Sequence, residues 1–129
     1  MTLVCDTHAF HWWTSEPERL SPAAGLALSA ADEIVISVIT WCELAWLAER
    51  GRIGTAGPIR SWIETLAGAV RTIGLSPRIA ATAASLPLTF PSDPADRLIY
   101  ATAIEHGWPL VSKDRLIHEH AALGPGVIW

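Results

Sequence analysis

Short aliphatic and β-branched runs alternate with helix-forming stretches along the whole chain, and this alternation restricts the fold more than any other feature. Thr2–Cys5, Ile34–Val38, Val70–Ile73, Leu110–Ser112 and Val127–Trp129 read as strands. A short helix carrying Phe10, Trp12 and Trp13 follows the first of them. Further helices are predicted from Ser21-Pro22 to about Ala31, from Thr40 to Arg50, from Ile59 to Ala67 and from Ser76-Pro77 to about Leu86. The last begins at Ser92-Asp93-Pro94 and runs to His106. The Ser-Pro and Asp-Pro pairs are start signals: the polar side chain caps free N–H groups, and proline at the first helical position lacks an N–H that would go unpaired anyway. Gly51 and Gly107 are stop signals. Strands alternating with helices predict an α/β fold, a three-layer sandwich with a central parallel sheet of four or five strands flanked by helices.

The length, 129 residues, suits a single domain spanning 1–129, and a composition that is 50% hydrophobic and 17% charged excludes disorder. No apolar run approaches the length of a membrane span and no signal peptide is evident, so a cytoplasmic protein without membrane contact is expected. Cys5 and Cys42 lie in apolar stretches without metal-type spacing and read as buried thiols.

Four acidic residues stand out by position. Asp6 and Asp114 each follow a predicted strand directly. Glu43 and Asp96 fall in the first turns of predicted helices, Glu43 amid Trp, Cys and Leu, where a buried carboxylate needs a partner. In open parallel sheets ligands bind beyond the carboxyl ends of the strands, where the strand order reverses. All four acids are expected on that edge. Nine Lys and Arg against thirteen Asp and Glu give a net charge of −4, which argues against a purely electrostatic nucleic-acid binder. Without those four acids, nine basic residues face nine acidic ones.

Clustered carboxylates repel one another, and a hard divalent cation relieves the repulsion. Such a centre hydrolyses phosphodiesters without a Ser, Cys or His nucleophile. No EF-hand spacing supports a calcium-storage role. Aspartyl phosphotransfer at Asp6 would want a second Asp two residues on, and position 8 is His. A binding module with little turnover is the rival from another class.

Taken together, DTHAFHWW at Asp6, SVITWCEL around Glu43, DPADRLIYATA around Asp96 and LVSKD ending at Asp114 resemble a PIN-domain protein, in particular the VapC toxins of bacterial toxin–antitoxin pairs. The resemblance spans essentially the whole chain, with the motifs in the family's order and spacing. It implies that Asp6, Glu43, Asp96 and Asp114 are the family's acidic quartet around Mg²⁺ or Mn²⁺. It implies that Thr7 and Ser112 support the site, with Asp93 outside the ligand shell. The implied activity is endonucleolytic cleavage of single-stranded or structured RNA (tRNA, rRNA or mRNA). Implied partners are a small VapB-like antitoxin that blocks the site and a second copy of the chain, with DNA reached only through the antitoxin.

Arg97, Lys113 and Arg115 neighbour site acids and are candidates for RNA phosphate contact, with an ion pair to a carboxylate as the other reading of Arg97. Arg50 and Arg52 form an outer candidate patch. His8 and His11 are spaced to share a helix face near Asp6 but are not preferred Mg²⁺ ligands. His118 and His120 read as surface residues. The seven Trp are divided among core, partner surface and base stacking without assignment.

Overall fold

The computed structural model describes residues 1–129. In chain order its elements are β1 (Thr2–Cys5), α1 (Thr7–Ser15), α2 (Pro22–Ala30), β2 (Glu33–Ser37), α3 (Val38–Glu49), α4 (Ile59–Ala67), β3 (Arg71–Ile73), α5 (Pro77–Ser85), α6 (Pro94–His106), β4 (Leu110–Val111), α7 (Arg115–His118) and β5 (Val127–Ile128). Single 3-10 turns occupy Pro17–Arg19 and Ala121–Leu123. No helix is long and apolar enough to cross a membrane.

All five strands are parallel, in the order β3-β2-β1-β4-β5. β1 is central, with Val4 opposite Val35 on one side and Leu110 on the other. Successive side chains of a strand face opposite ways, and β1 supplies both layers. Leu3 and Cys5 pack with Phe10 of α1, Leu28 of α2, Leu44 of α3 and Trp62 of α4. Val4 packs with Ile99, Tyr100 and Ala103 of α6, and with Phe90. A strand buried on both faces has no polar alternation to show, which is why TLVC is continuous in its apolarity. The three-layer arrangement expected from the sequence is the one observed.

The cap signals act as the sequence predicts. Ser21 Oγ accepts from Ala24 N at 3.0 Å to start α2, and Ser76 Oγ accepts from Ile79 N at 3.1 Å to start α5. Asp93, rather than Ser92, caps α6. Gly107 ends that helix at φ +69°, a conformation that costs glycine little and other residues more. One boundary differs in a way that affects the site. Ser37 closes β2 and caps α3, accepting from Ile39 N at 3.3 Å, so the helix begins at Val38 and not Thr40. Glu43 therefore lies in the second turn of α3, not the first. Cys42 is also exposed on that helix, whereas Cys5 is buried.

The order of strands sets the position of the crevice. The chain runs outward from β1 through β2 to β3, then returns to place β4 on the other side of β1. The reversal point lies between the carboxyl ends of β1 and β4, where Asp6 and Ser112–Asp114 emerge.

Candidate metal centre

Asp6 leaves β1 and immediately caps α1, its Oδ1 accepting from Ala9 N at 2.8 Å. Asp114 does the same after β4, its Oδ1 accepting from Leu116 N at 2.9 Å to start α7. Asp93 caps α6, accepting from Ala95 N at 2.8 Å and Asp96 N at 3.4 Å. Three helix starts are thus capped by carboxylates that line one cleft, and the positive ends of those helices favour the negative charge gathered there.

The cleft, of about 330 Å³, is lined by Asp6, Thr7, His8, Trp12, Glu43, Asp93, Asp96, Lys113 and Asp114. The four acids singled out from the sequence all line it. Asp93, expected outside the ligand shell, is also part of the wall.

The carboxylates are under strain from burial and from one another. Burial pushes Asp6 above the ordinary aspartate range, and Asp114 adds to this. A hydrogen bond from Ser112, the Ala9 N–H and the nearby His8 act in the other direction. Glu43 is raised chiefly by burial, opposed by the hydrogen bond from Thr7, with Asp93 and Asp6 pushing upward. Asp96 is pushed up to about 7, first by burial and then by Asp93, Glu43, Asp114 and Asp6 together. Crowding of one side chain by four other carboxylates is a repulsion that a bound cation would relieve.

Whether these residues fit a metal rests on the donor set. All donors are hard oxygens, suited to Mg²⁺ or Mn²⁺ rather than to soft metals. No three His, Cys, Asp or Glu side chains form a cage able to hold an ion by themselves. Mg²⁺ does not require one: it takes one or two carboxylates and keeps several waters. The open acidic cleft fits such a hydrated ion and does not fit a closed structural site.

The supporting residues divide clearly. Thr7 Oγ1 donates to Glu43 Oε1 and lies 3.2 Å from Thr40 Oγ1, fixing the Glu43 carboxylate between α1 and α3. Ser112, fully buried, accepts from Asp114 N at 3.1 Å, and its hydroxyl is also close enough to Asp6 to favour that carboxylate's ionised form. Arg97 corrects both readings of it. It contacts neither a carboxylate nor the cleft, and donates instead to the carbonyls of Ala83, Leu86, Pro87, Phe90 and Pro91 at 2.9 to 3.5 Å. Its planar fork fastens the 86–91 loop to α6 just before Asp93. Arg115 lies away from the cleft wall and pairs with Glu119 at 3.2 Å. Lys113 is in the wall, its Nζ 5.7 Å from the centre of the Trp12 ring.

Arg50 and Arg52 line an adjoining groove of about 290 Å³ with Trp46 and Leu47, and this groove shares His8 and Glu43 with the acidic cleft. His8 and His11 are separated by the structure. His8 is exposed at the cleft, while His11 is buried, its Nδ1 unpartnered and its Nε2 3.6 Å from Glu16. Burial holds the His11 imidazole below the usual histidine range. His118 and His120 are not free surface residues: His118 Nε2 lies 2.6 Å from Ser112 O, and His120 bridges Leu116 O at 2.8 Å and Thr89 Oγ1 at 2.9 Å. Sequence reasoning left His8 and Trp12 unassigned; their i, i+4 spacing on α1, directly after Asp6, is the signal that could have placed them together on the cleft.

Comparison with known proteins agrees with this architecture. Residues 3–123 match the PIN domain family. The chain is 55% identical over 128 residues to Ribonuclease VapC22 of Mycobacterium tuberculosis (strain ATCC 25618 / H37Rv), covering 99% of this chain and 98% of that one. The fold matches a chain of a toxin–antitoxin complex from Klebsiella pneumoniae with TM-score 0.64 at 23% identity, covering 87% of this chain and 86% of that one. It matches a chain of VapBC2 from Rickettsia felis, bound to a DNA fragment from its promoter, with TM-score 0.64 at 18% identity, covering 88% and 89%. The chain belongs to the PIN-domain family and, within it, to the VapC ribonucleases.

Proposed function

We propose that this VapC ribonuclease is a Mg²⁺- or Mn²⁺-dependent endoribonuclease toxin whose hydrolytic centre is the quartet Asp6, Glu43, Asp96 and Asp114. The observation that carries the reading is the convergence of Asp6, Glu43, Asp96 and Asp114 on one cleft, where burial and their mutual repulsion push Asp96 up to about 7, an arrangement that a bound cation relieves. Asp6 and Asp96 would hold the ion, with Asp114 contributing to a second ion or to an ordered water. When bound, the cation supplies Lewis acidity at the scissile phosphodiester and a nucleophilic water at neutral pH.

The chain's own groups do the rest. Glu43, fixed by Thr7, orients the attacking water and accepts its proton. Ser112 keeps Asp6 and Asp114 in register across the strand ends. Lys113, in the cleft wall and without a carboxylate at ion-pair distance, holds a substrate phosphate.

An antitoxin of the VapB kind is the proposed protein partner, by likeness to the toxin–antitoxin complexes that share the fold. DNA is reached only through that partner, and two copies of the chain associate as a dimer in the cytoplasm. Brief incubation with RNA in Mg²⁺ tests the enzymatic reading. Cleavage should stop with EDTA and fall by about 100-fold or more in a folded Asp6→Asn variant. An unchanged rate in that variant, or tight antitoxin binding without any turnover by the wild type, would instead favour a binding module.

A further inference from the structure

We propose that two tryptophan–cation pairs, Trp12 with Lys113 in the wall of the acidic cleft and Trp46 with Arg50 in the groove that adjoins it, are nucleotide subsites that hold an unpaired RNA strand at the catalytic acids. The inference rests on the nuclease reading above and names the residues that position its substrate.

The distribution of free cations is the first observation. Of the nine basic side chains, Arg19, Arg71, Arg78 and Arg115 pair with carboxylates and Arg97 is held by backbone carbonyls. Arg50, Arg52, Arg60 and Lys113 have no carboxylate within ion-pair distance. Three of those four flank the acidic cleft: Lys113 in its wall, Arg50 and Arg52 in the groove that joins it through His8 and Glu43. A chain of net charge −4 has placed most of its uncommitted positive charge beside its densest negative charge. A polyanion running over a metal centre is a ligand that requires both.

The aromatic partners are the second observation. Lys113 Nζ lies 5.7 Å from the centre of the Trp12 ring, and Arg50 Cζ lies 5.7 Å from that of Trp46. Trp46 is 59% exposed, an unusual position for so large an apolar surface, and it sits on the groove side of α3. Trp12 is the one hydrophobic residue of the cleft wall, braced by Trp129 with ring centres 5.7 Å apart. His8 connects the two, lining both cavities and packing 5.7 Å from Trp12. An aromatic face beside a cation is the combination that binds single strands, the ring stacking on a base and the charge meeting its phosphate. A base held in a duplex offers no free face to such a ring, so the arrangement selects unpaired nucleotides with little regard to sequence.

Binding can be measured apart from chemistry by using Asp96→Asn as the background, in Mg²⁺, with a fluorescein-labelled unpaired oligoribonucleotide and the same oligomer annealed to its complement. Anisotropy should show the unpaired strand bound and the duplex bound far more weakly. Trp12→Ala and Trp46→Ala should each weaken binding by about 5- to 150-fold, with recovery in Trp12→Phe and Trp46→Phe. Lys113→Ala and Arg50→Ala should each lower the salt dependence by roughly one phosphate contact. In the cleavage-competent chain, Trp46→Ala should raise KM with kcat retained. Equal affinity for strand and duplex, or affinity indifferent to both tryptophans, overturns the proposal. Loss of antitoxin binding in Trp46→Ala with RNA affinity intact also overturns it, since the groove would then be a protein-docking surface. Tryptophan-dependent binding by a chain that never cleaves RNA would leave the subsites standing and refute the nuclease reading alone.

Discussion

Thr7 and Glu43 are joined by a hydrogen bond between α1 and α3, the threonine hydroxyl donating to the carboxylate. The bond is made by the residue directly after Asp6, so the orientation of one cleft acid is set by the neighbour of another. Glu43 is half-buried and raised by its surroundings, and the Thr7 hydrogen bond is the strongest of the influences that keep it ionised. Thr7→Val preserves the shape and removes the donor. The variant should lose about 1–2 kcal/mol of stability and roughly tenfold or more in RNA cleavage, while Thr7→Ser retains most of both. Denaturant titration and single-turnover cleavage measure the two effects.

Asp6, Glu43 and Asp96 give a pH dependence whose sign is opposite to that of a salt-bridged carboxylate. Each has a folded-state pKa above its unfolded one, so the folded chain binds more protons between the two values. For Asp96 this stability is complete below about pH 4 and is lost as pH rises through about 7, and the raised Asp6 and Glu43 act in the same direction. In EDTA the melting temperature should therefore decline across that window through these groups. Mg²⁺ should restore it more at pH 8 than at pH 5, because the cation binds the ionised form. Asp96→Asn should raise the melting temperature in EDTA at pH 8 by a few degrees and reduce the response to Mg²⁺.

Arg97 is a positioning residue for the segment that delivers Asp93 and Asp96. Its guanidinium serves five carbonyls of Ala83 and the 86–91 loop and sits 5.8 Å from the centre of the Phe90 ring. Lysine keeps the charge but has no planar fork. Arg97→Lys should cost about 2–4 kcal/mol by leaving several carbonyls unpaired. The salt dependence of RNA binding should not change, and this separates a loop clamp from a phosphate contact.

The carboxyl-edge placement of the acids was legible because its cause is local. An apolar run such as TLVC followed by Asp-Thr states where a strand ends, and LVSKD states it again. Pro94 after Asp93 announces the start of α6, and with it the depth of Asp96. Features that depend on residues distant in sequence were not legible. Ser37 reads as a strand residue, yet its hydroxyl caps α3 and moves Glu43 by a turn. Arg97 lies beside Asp96 in sequence, but its partners are carbonyls from α5 and the loop beyond, visible only once that loop folds back. The family resemblance puts Asp93 outside the ligand shell, and its cap on α6 did not reveal that it also lines the cleft. One oxygen of a carboxylate can cap while the group still lines a cavity. His11 and His8, three residues apart, parted because α1 buries one of them against the core and leaves the other on the cleft.

Soaking crystals of the wild-type chain in Mn²⁺ and collecting anomalous diffraction data tests the central claim most directly. The expected result is an anomalous peak inside the cleft, touching Asp6 and Asp96 and completed by waters, which disappears in Asp6→Asn crystals of unchanged fold. A cleft without anomalous density at saturating Mn²⁺, or a peak held by residues elsewhere on the surface, would contradict it.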